Sequence, residues 1–211
     1  MMITEIPDFV QEVLNLFEKY EVKPKDNIRR FVRTHADELH YCWDYGASRV
    51  AIMFKGWNYV LKISRLDECL NDYNQKEARN YLVAKETYRV ERVLLPIELL
   101  YTTAQGVEIY IQPKYDFPAC EIPTSTRKKW ERKLHDLHKR PIIRAIDMGM
   151  YESRGLSALW VARALQLYGK VFMRKLEEWS HAQQINDLHS TNVGWLNGRP
   201  VIIDYAGYDE W

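Results

Sequence analysis

The sequence predicts an α+β protein whose first half is strand-rich and whose second half is helix-rich. Three observations carry that reading. Between residues 38 and 64 the apolar residues alternate with a period of two. From 125 to 184 they recur at helical spacing. Pro113 and Pro118 stand at the change between the two regimes.

The elements follow in order. PDFVQEVLNLFEKY, residues 7–20, is an amphipathic helix: Pro7 suits its first turn, and Phe9, Val10, Val13, Leu14, Phe17 and Tyr20 share one broad face. A second, short helix covers 26–36. ELHYCWDYG, RVAIMFKG and NYVLKIS read as a three-stranded antiparallel meander, with turns at Gly46-Ala47-Ser48 and Lys55-Gly56-Trp57-Asn58. CLNDYNQKEARNYLVAKE is helical. VLLPIELL and GVEIYIQP return to strand, and Pro113 ends the last. TRKKWERKLHDLHKR is a basic helix with Trp130, Leu134 and Leu137 on one face, a solvated surface or a dock for an acidic partner. A long helix covers 156–185, with Gly169 marking a bend or a close contact. VGWLNGRPVII is a hairpin, because Asn197-Gly198 favours a tight turn in which both central residues take positive φ. This organisation gives a helical extension over 1–36, a small sheet lobe over 37–113 and a helical lobe over 114–211.

Totals exclude several classes. A chain of 211 residues can bury a sizeable core in one large domain or two small lobes. The net charge of +1 gives no global attraction to nucleic acid or to an anionic membrane, so neither is expected as a partner. Three scattered cysteines, Cys42, Cys69 and Cys120, form no disulfide framework or zinc spacing, which suits a reducing cytoplasm. The opening residues lack a basic segment followed by an apolar run, and no stretch has the length of a membrane span, so no membrane insertion is expected.

The chemistry concentrates in INDLHSTNVGWLNGRPVIIDYAG, residues 185–207. The hairpin folds the chain back, so Asn192, just before its first strand, and Asp204, just after its second, are expected side by side. An amide oxygen and a carboxylate there suit a hard cation such as Mg²⁺. Asp187 precedes Asn192 by five residues in a polar loop.

The pattern Asp-x-x-x-x-Asn, hairpin, Asp-aromatic resembles the catalytic and metal-binding loops of the protein-kinase-like superfamily. DLHSTN is closest to the catalytic loop of aminoglycoside and choline phosphotransferases and of lipopolysaccharide kinases. The resemblance implies a bilobal fold, a small antiparallel-sheet lobe before a mainly helical large lobe. It implies ATP and Mg²⁺ as cofactors, Asp187 as the catalytic aspartate accepting the proton of the attacked hydroxyl, and Asn192 and Asp204 as metal ligands. It also asks for a lysine on the third strand and a helix glutamate to orient it. Lys62 in YVLKIS and Glu77, fifteen residues on, stand at those places. A hinge would follow in IYIQPKY, where backbone groups near Gln112 and Lys114 would meet the adenine edge. The phosphates would meet the turn Gly46-Ala47-Ser48 and Lys62. Taken singly, each residue has an ordinary role as turn former, strand lysine or solvated acid; the ordered set is what points to chemistry.

Three features depart from the family. The glycine-rich loop is reduced to YGASRVA with the single Gly46, where Arg49 would add charge neutralisation. Ile185 stands where the family has a structural histidine. Seven residues follow Asp204, which implies a compact form truncated after the metal-binding aspartate and without an activation segment. The expectation is therefore a phosphotransferase acting on a hydroxyl of a protein or small molecule, or else a pseudokinase-type module that binds and regulates a partner without catalysis.

Overall fold

The computed structural model describes residues 6–68, 72–115, 158–185, 188 and 192–207. They form a mixed α+β structure with a five-stranded antiparallel sheet, a separate two-stranded hairpin and several helices. The chain divides into two compact units. The first runs to Arg79 and resumes over Pro96–Lys114; the second takes Asn80–Leu95 and the described residues from Tyr115 onward. Residues 80–95, which the sequence grouped with the small lobe, thus belong with the second unit. The basic helix expected over 126–140 lies outside the described residues.

In the first unit, helices α1 (Asp8–Lys19) and α2 (Ile28–His35) precede strands β1 (Cys42–Tyr45), β2 (Arg49–Met53) and β3 (Tyr59–Ser64). Helix α3 (Tyr73–Val83) follows, its residues from Asn80 on belonging to the second unit, then β4 (Glu98–Thr102) and β5 (Glu108–Pro113). The sheet order is β1-β2-β3-β5-β4, every neighbouring pair antiparallel. The strand expected over VLLPIELL begins only at Glu98; Glu91–Val93 is instead a short 3₁₀ turn. Pro96 explains the delay, since it has no N–H to give a ladder.

Strand parity divides the sheet into two chemically different faces. Val50, Ile52, Leu61, Ile63 and Ile109 point one way and join Val10, Val13, Leu14 and Phe17 of α1 with Ile28 and Val32 of α2 in one apolar cluster. Each such side chain contributes about 1.5–3 kcal/mol on leaving water. The face of α1 is narrower than its apolar residues suggest: Phe9 and Tyr20 stay at the margin, 36% and 51% exposed. α2 is started by Asn27, whose side chain accepts from the Arg30 N–H at 2.8 Å. Alternate residues, Arg49, Lys62 and Gln112 among them, belong to the opposite face, as the register Lys62↔Ala51, Lys62↔Tyr110 and Val60↔Gln112 requires.

In the second unit, helices α4 (Ala158–Tyr168) and α5 (Lys170–Ala182) replace the single helix expected over 156–185, with the break at Gly169. Strands β6 (Val193–Leu196) and β7 (Arg199–Ile202) form the hairpin. Asn197 and Gly198 both take positive φ, 51° and 72°, the conformation that the Asn-Gly pair favours. Leu94 makes a parallel bridge to Ile202, and the Leu95 N–H donates to the Ile202 carbonyl at 2.9 Å. No helix among the described residues is long and apolar enough to cross a membrane.

Two buried phenols in the first unit make a pH prediction. Tyr41 donates to the Val32 carbonyl at 2.6 Å, and its pKa is raised by burial first and by Glu38 second. Tyr110 is raised by burial first and then by its hydrogen bond to Glu108. In the unfolded chain a tyrosine ionises near pH 10 (about 10). A higher pKa in the folded state contributes stability below that pH and loses it as pH rises. Stability is expected to fall from about pH 10 upward, with part of the phenolate absorbance developing only as far-ultraviolet dichroism is lost. Ionisation of all tyrosines together near pH 10 (about 10) in a chain that remains folded would contradict this.

Candidate functional site

The first unit's site is built around one carboxylate. Glu77 lies in α3 and is wholly removed from solvent. A buried carboxylate persists as an ion only where donors replace its lost water. Three do so here. Lys62 Nζ lies 3.1 Å from Glu77 Oε1, and Gln112 Nε2 donates to the same oxygen at 3.0 Å. The Arg49 guanidinium pairs with Oε2. β2, β3 and β5 thus supply one donor each. The pairing of Lys62 with Glu77 expected from sequence is present in the structure.

Gln112 and Arg49 take parts that sequence reasoning did not foresee. The resemblance gives backbone groups near Gln112 a part in meeting a nucleotide base; its buried side chain also holds Glu77. Arg49 was expected to neutralise phosphate charge, and its side chain is turned onto the same glutamate. A signal existed: a polar residue at an inward strand position needs a buried partner. Finding that partner takes the strand register. Lys114 donates its N–H to the Asn58 carbonyl at 2.7 Å.

Gly46-Ala47-Ser48 forms the turn between β1 and β2. The Gly46 N–H donates to the Arg49 carbonyl at 2.9 Å. Arg65, almost fully buried, braces the turn from beneath: its Nη1 donates to the carbonyls of Gly46 at 2.9 Å and Ala47 at 3.3 Å, and its N–H donates to the Ser48 carbonyl at 2.9 Å. A guanidinium with several donors can satisfy two converging carbonyls where lysine offers a compact point charge. The conformation of the turn is thereby tied to β3, whose last residue is Ser64.

In the second unit the hairpin does what its sequence predicts. The Asn192 carbonyl accepts from the Ile203 N–H at 2.9 Å and the Asp204 N–H at 3.4 Å, so these two residues stand together at its open end. Asn192 is buried and Asp204 half-buried. One amide oxygen and one carboxylate are hard donors of the kind that bind Mg²⁺ alongside water and phosphate oxygens. The donor set fits that ion. No cluster of three or more His, Cys, Asp or Glu able to hold a metal occurs among the described residues. Asp187, the expected catalytic aspartate, lies outside them.

No family model matches the chain, and no curated protein or solved structure matches it.

Removing the charge of Glu77 tests the first cluster. Glu77→Gln keeps the shape but leaves two cations against a neutral amide, and breaking a buried pair costs about 3–5 kcal/mol. Urea denaturation is expected to show a loss of about 3 kcal/mol or more. A loss below about 1 kcal/mol, the worth of an exposed ion pair, would mean that the cluster does not hold the unit together.

Proposed function

We propose that the chain is a phosphotransferase of protein-kinase-like type, dependent on ATP and Mg²⁺. The observation that carries the reading is the Lys62–Glu77 pair at 3.1 Å, on the strand and helix where the resemblance requires it. The adjacency of Asn192 and Asp204 across the hairpin adds to it.

In this reading Glu77 holds the Lys62 ammonium on the polar face of the sheet, and Lys62 binds phosphate oxygens of ATP. Arg49 and Gln112 keep the Glu77 carboxylate from turning, so that Lys62 has one place to go. Asn192 and Asp204 would hold Mg²⁺, which supplies neutralisation of the charge that develops on the phosphates. Asp187 accepts the proton of the acceptor hydroxyl. The hydroxyl oxygen bonds to the γ-phosphorus as the bond to the bridging oxygen breaks, and ADP leaves. The protein's contribution is positioning and charge placement.

A second reading, a kinase-shaped module that binds a partner without catalysis, is favoured by one feature. Glu77 meets three donors within its own unit, a network that stabilises the fold with no ligand bound.

Asp204→Ala is expected to lose transfer of labelled γ-phosphate from ATP to any acceptor in a whole-cell extract, while its ligand-free melting temperature stays near that of the parent. Turnover equal to the parent's would refute the assignment. Melting raised by Mg²⁺-ATP, with no labelled product formed by the parent chain, would select the binding module.

A further inference from the structure

The chain immediately after Asp204 is held by several buried contacts, all inside the second unit. The Asn80 side-chain amide donates to the Tyr205 carbonyl at 2.9 Å and reaches the Ala206 carbonyl at 3.5 Å. The Tyr205 hydroxyl donates to the Leu95 carbonyl at 2.5 Å, and the Tyr205 ring lies 6.0 Å from that of Trp179. Asn80 is fixed in turn, because its own carbonyl accepts from the Trp179 indole N–H at 3.2 Å. Gly207 closes the segment: its φ is +70°, and a Cβ there would come within 2.6 Å of the Gln184 carbonyl.

We infer that Asn80 is a positioning residue for Asp204, and that it holds this metal-ligand candidate in one permanent conformation. The inference rests on the phosphotransferase reading. Asp204 lies between two clamps. On its N-terminal side the Asn192 carbonyl takes the N–H groups of Ile203 and Asp204. On its C-terminal side Asn80 takes the next two carbonyls. Rotating the Asp204 side chain away by a peptide flip would break the Asn80 bonds and draw Tyr205 out of a site where it is fully buried. The amide is specific to this task. Aspartate at position 80 would turn an acceptor toward two carbonyls, and leucine would offer them no donor. The segment after Asp204 is thus a fixed strap, and a site so built needs no ordering event before it takes a metal.

Residues that orient a metal ligand without touching the metal typically change affinity by about 10–100-fold when altered. Mn²⁺ titrated into the full chain with ADP, followed by electron paramagnetic resonance, reads this directly. Asn80→Ala is expected to weaken Mn²⁺ binding at least about tenfold and to speed amide hydrogen exchange at 205–207, with exchange in the five-stranded sheet unchanged. Tyr205→Phe, which removes the hydroxyl that donates to Leu95, is expected to act in the same direction and decides the matter if Asn80→Ala fails to fold. Parent-like Mn²⁺ affinity in folded Asn80→Ala, or in Tyr205→Phe when that variant decides, would overturn the inference even where exchange accelerates, because the strap would then be structural only. If the parent chain itself shows no Mn²⁺ binding that Asp204→Ala removes, the phosphotransferase reading fails and the inference goes with it.

Discussion

A carboxylate with no access to water governs the first unit. Glu77 could be accommodated only by groups that replace its hydration, and Lys62, Arg49 and Gln112 do so from three strands. This requirement fixes more than one contact. Because side chains alternate along a strand, the three donors reach Glu77 only if β2, β3 and β5 hold their observed register. A slip of one residue would carry charge into the cluster of Val50, Ile52, Leu61 and Ile63 and bring those residues out against α3. The apolar face alone specifies the alternation; the buried ion adds a second, independent penalty on the wrong register.

The second unit depends on hydrogen bonds of the opposite kind, between backbone groups and neutral side chains. Asn197-Gly198 sets the hairpin, and the hairpin sets Asn192 beside Asp204. The Leu95 N–H takes the Ile202 carbonyl, and its carbonyl takes the Tyr205 hydroxyl, so a stretch before Pro96 secures both ends of the Asp204 region. These contacts tie residues 80–95, which begin within the last turn of α3, to the second unit.

Local signals proved legible where one short stretch contains the whole cause. The α1 stripe, the Asn-Gly turn and the alternation of β2 and β3 each follow from residues within one element. Legibility failed where competing causes met. An apolar run around Pro96 reads as strand until the missing N–H is considered, and the helices on either side of Gly169 read as one helix with a bend or close contact there, because the periodicity persists through the break. Within the candidate site, the hairpin turn picked out Asn192 beside Asp204, and the kinase-like resemblance picked out Lys62 and Glu77. Arg49 could be named but not paired, and neither Arg65 nor Asn80 carried any mark that would set it apart from a surface residue of a polar segment.

The amino-acid sequence by itself determined the α+β character, the class of α1, α2, β2, β3 and the hairpin, and the neighbourhood of Asn192 and Asp204, since a two-residue turn dictates which residues flank it. Tertiary structure alone decided which donors satisfy Glu77, which unit owns 80–95 and what pins Tyr205. Those outcomes depend on strand register and on contacts such as Asn80 with Tyr205, separated by 125 positions. A local pattern reports the face a residue prefers, whereas the identity of its partner is settled only when distant elements compete for the same buried space.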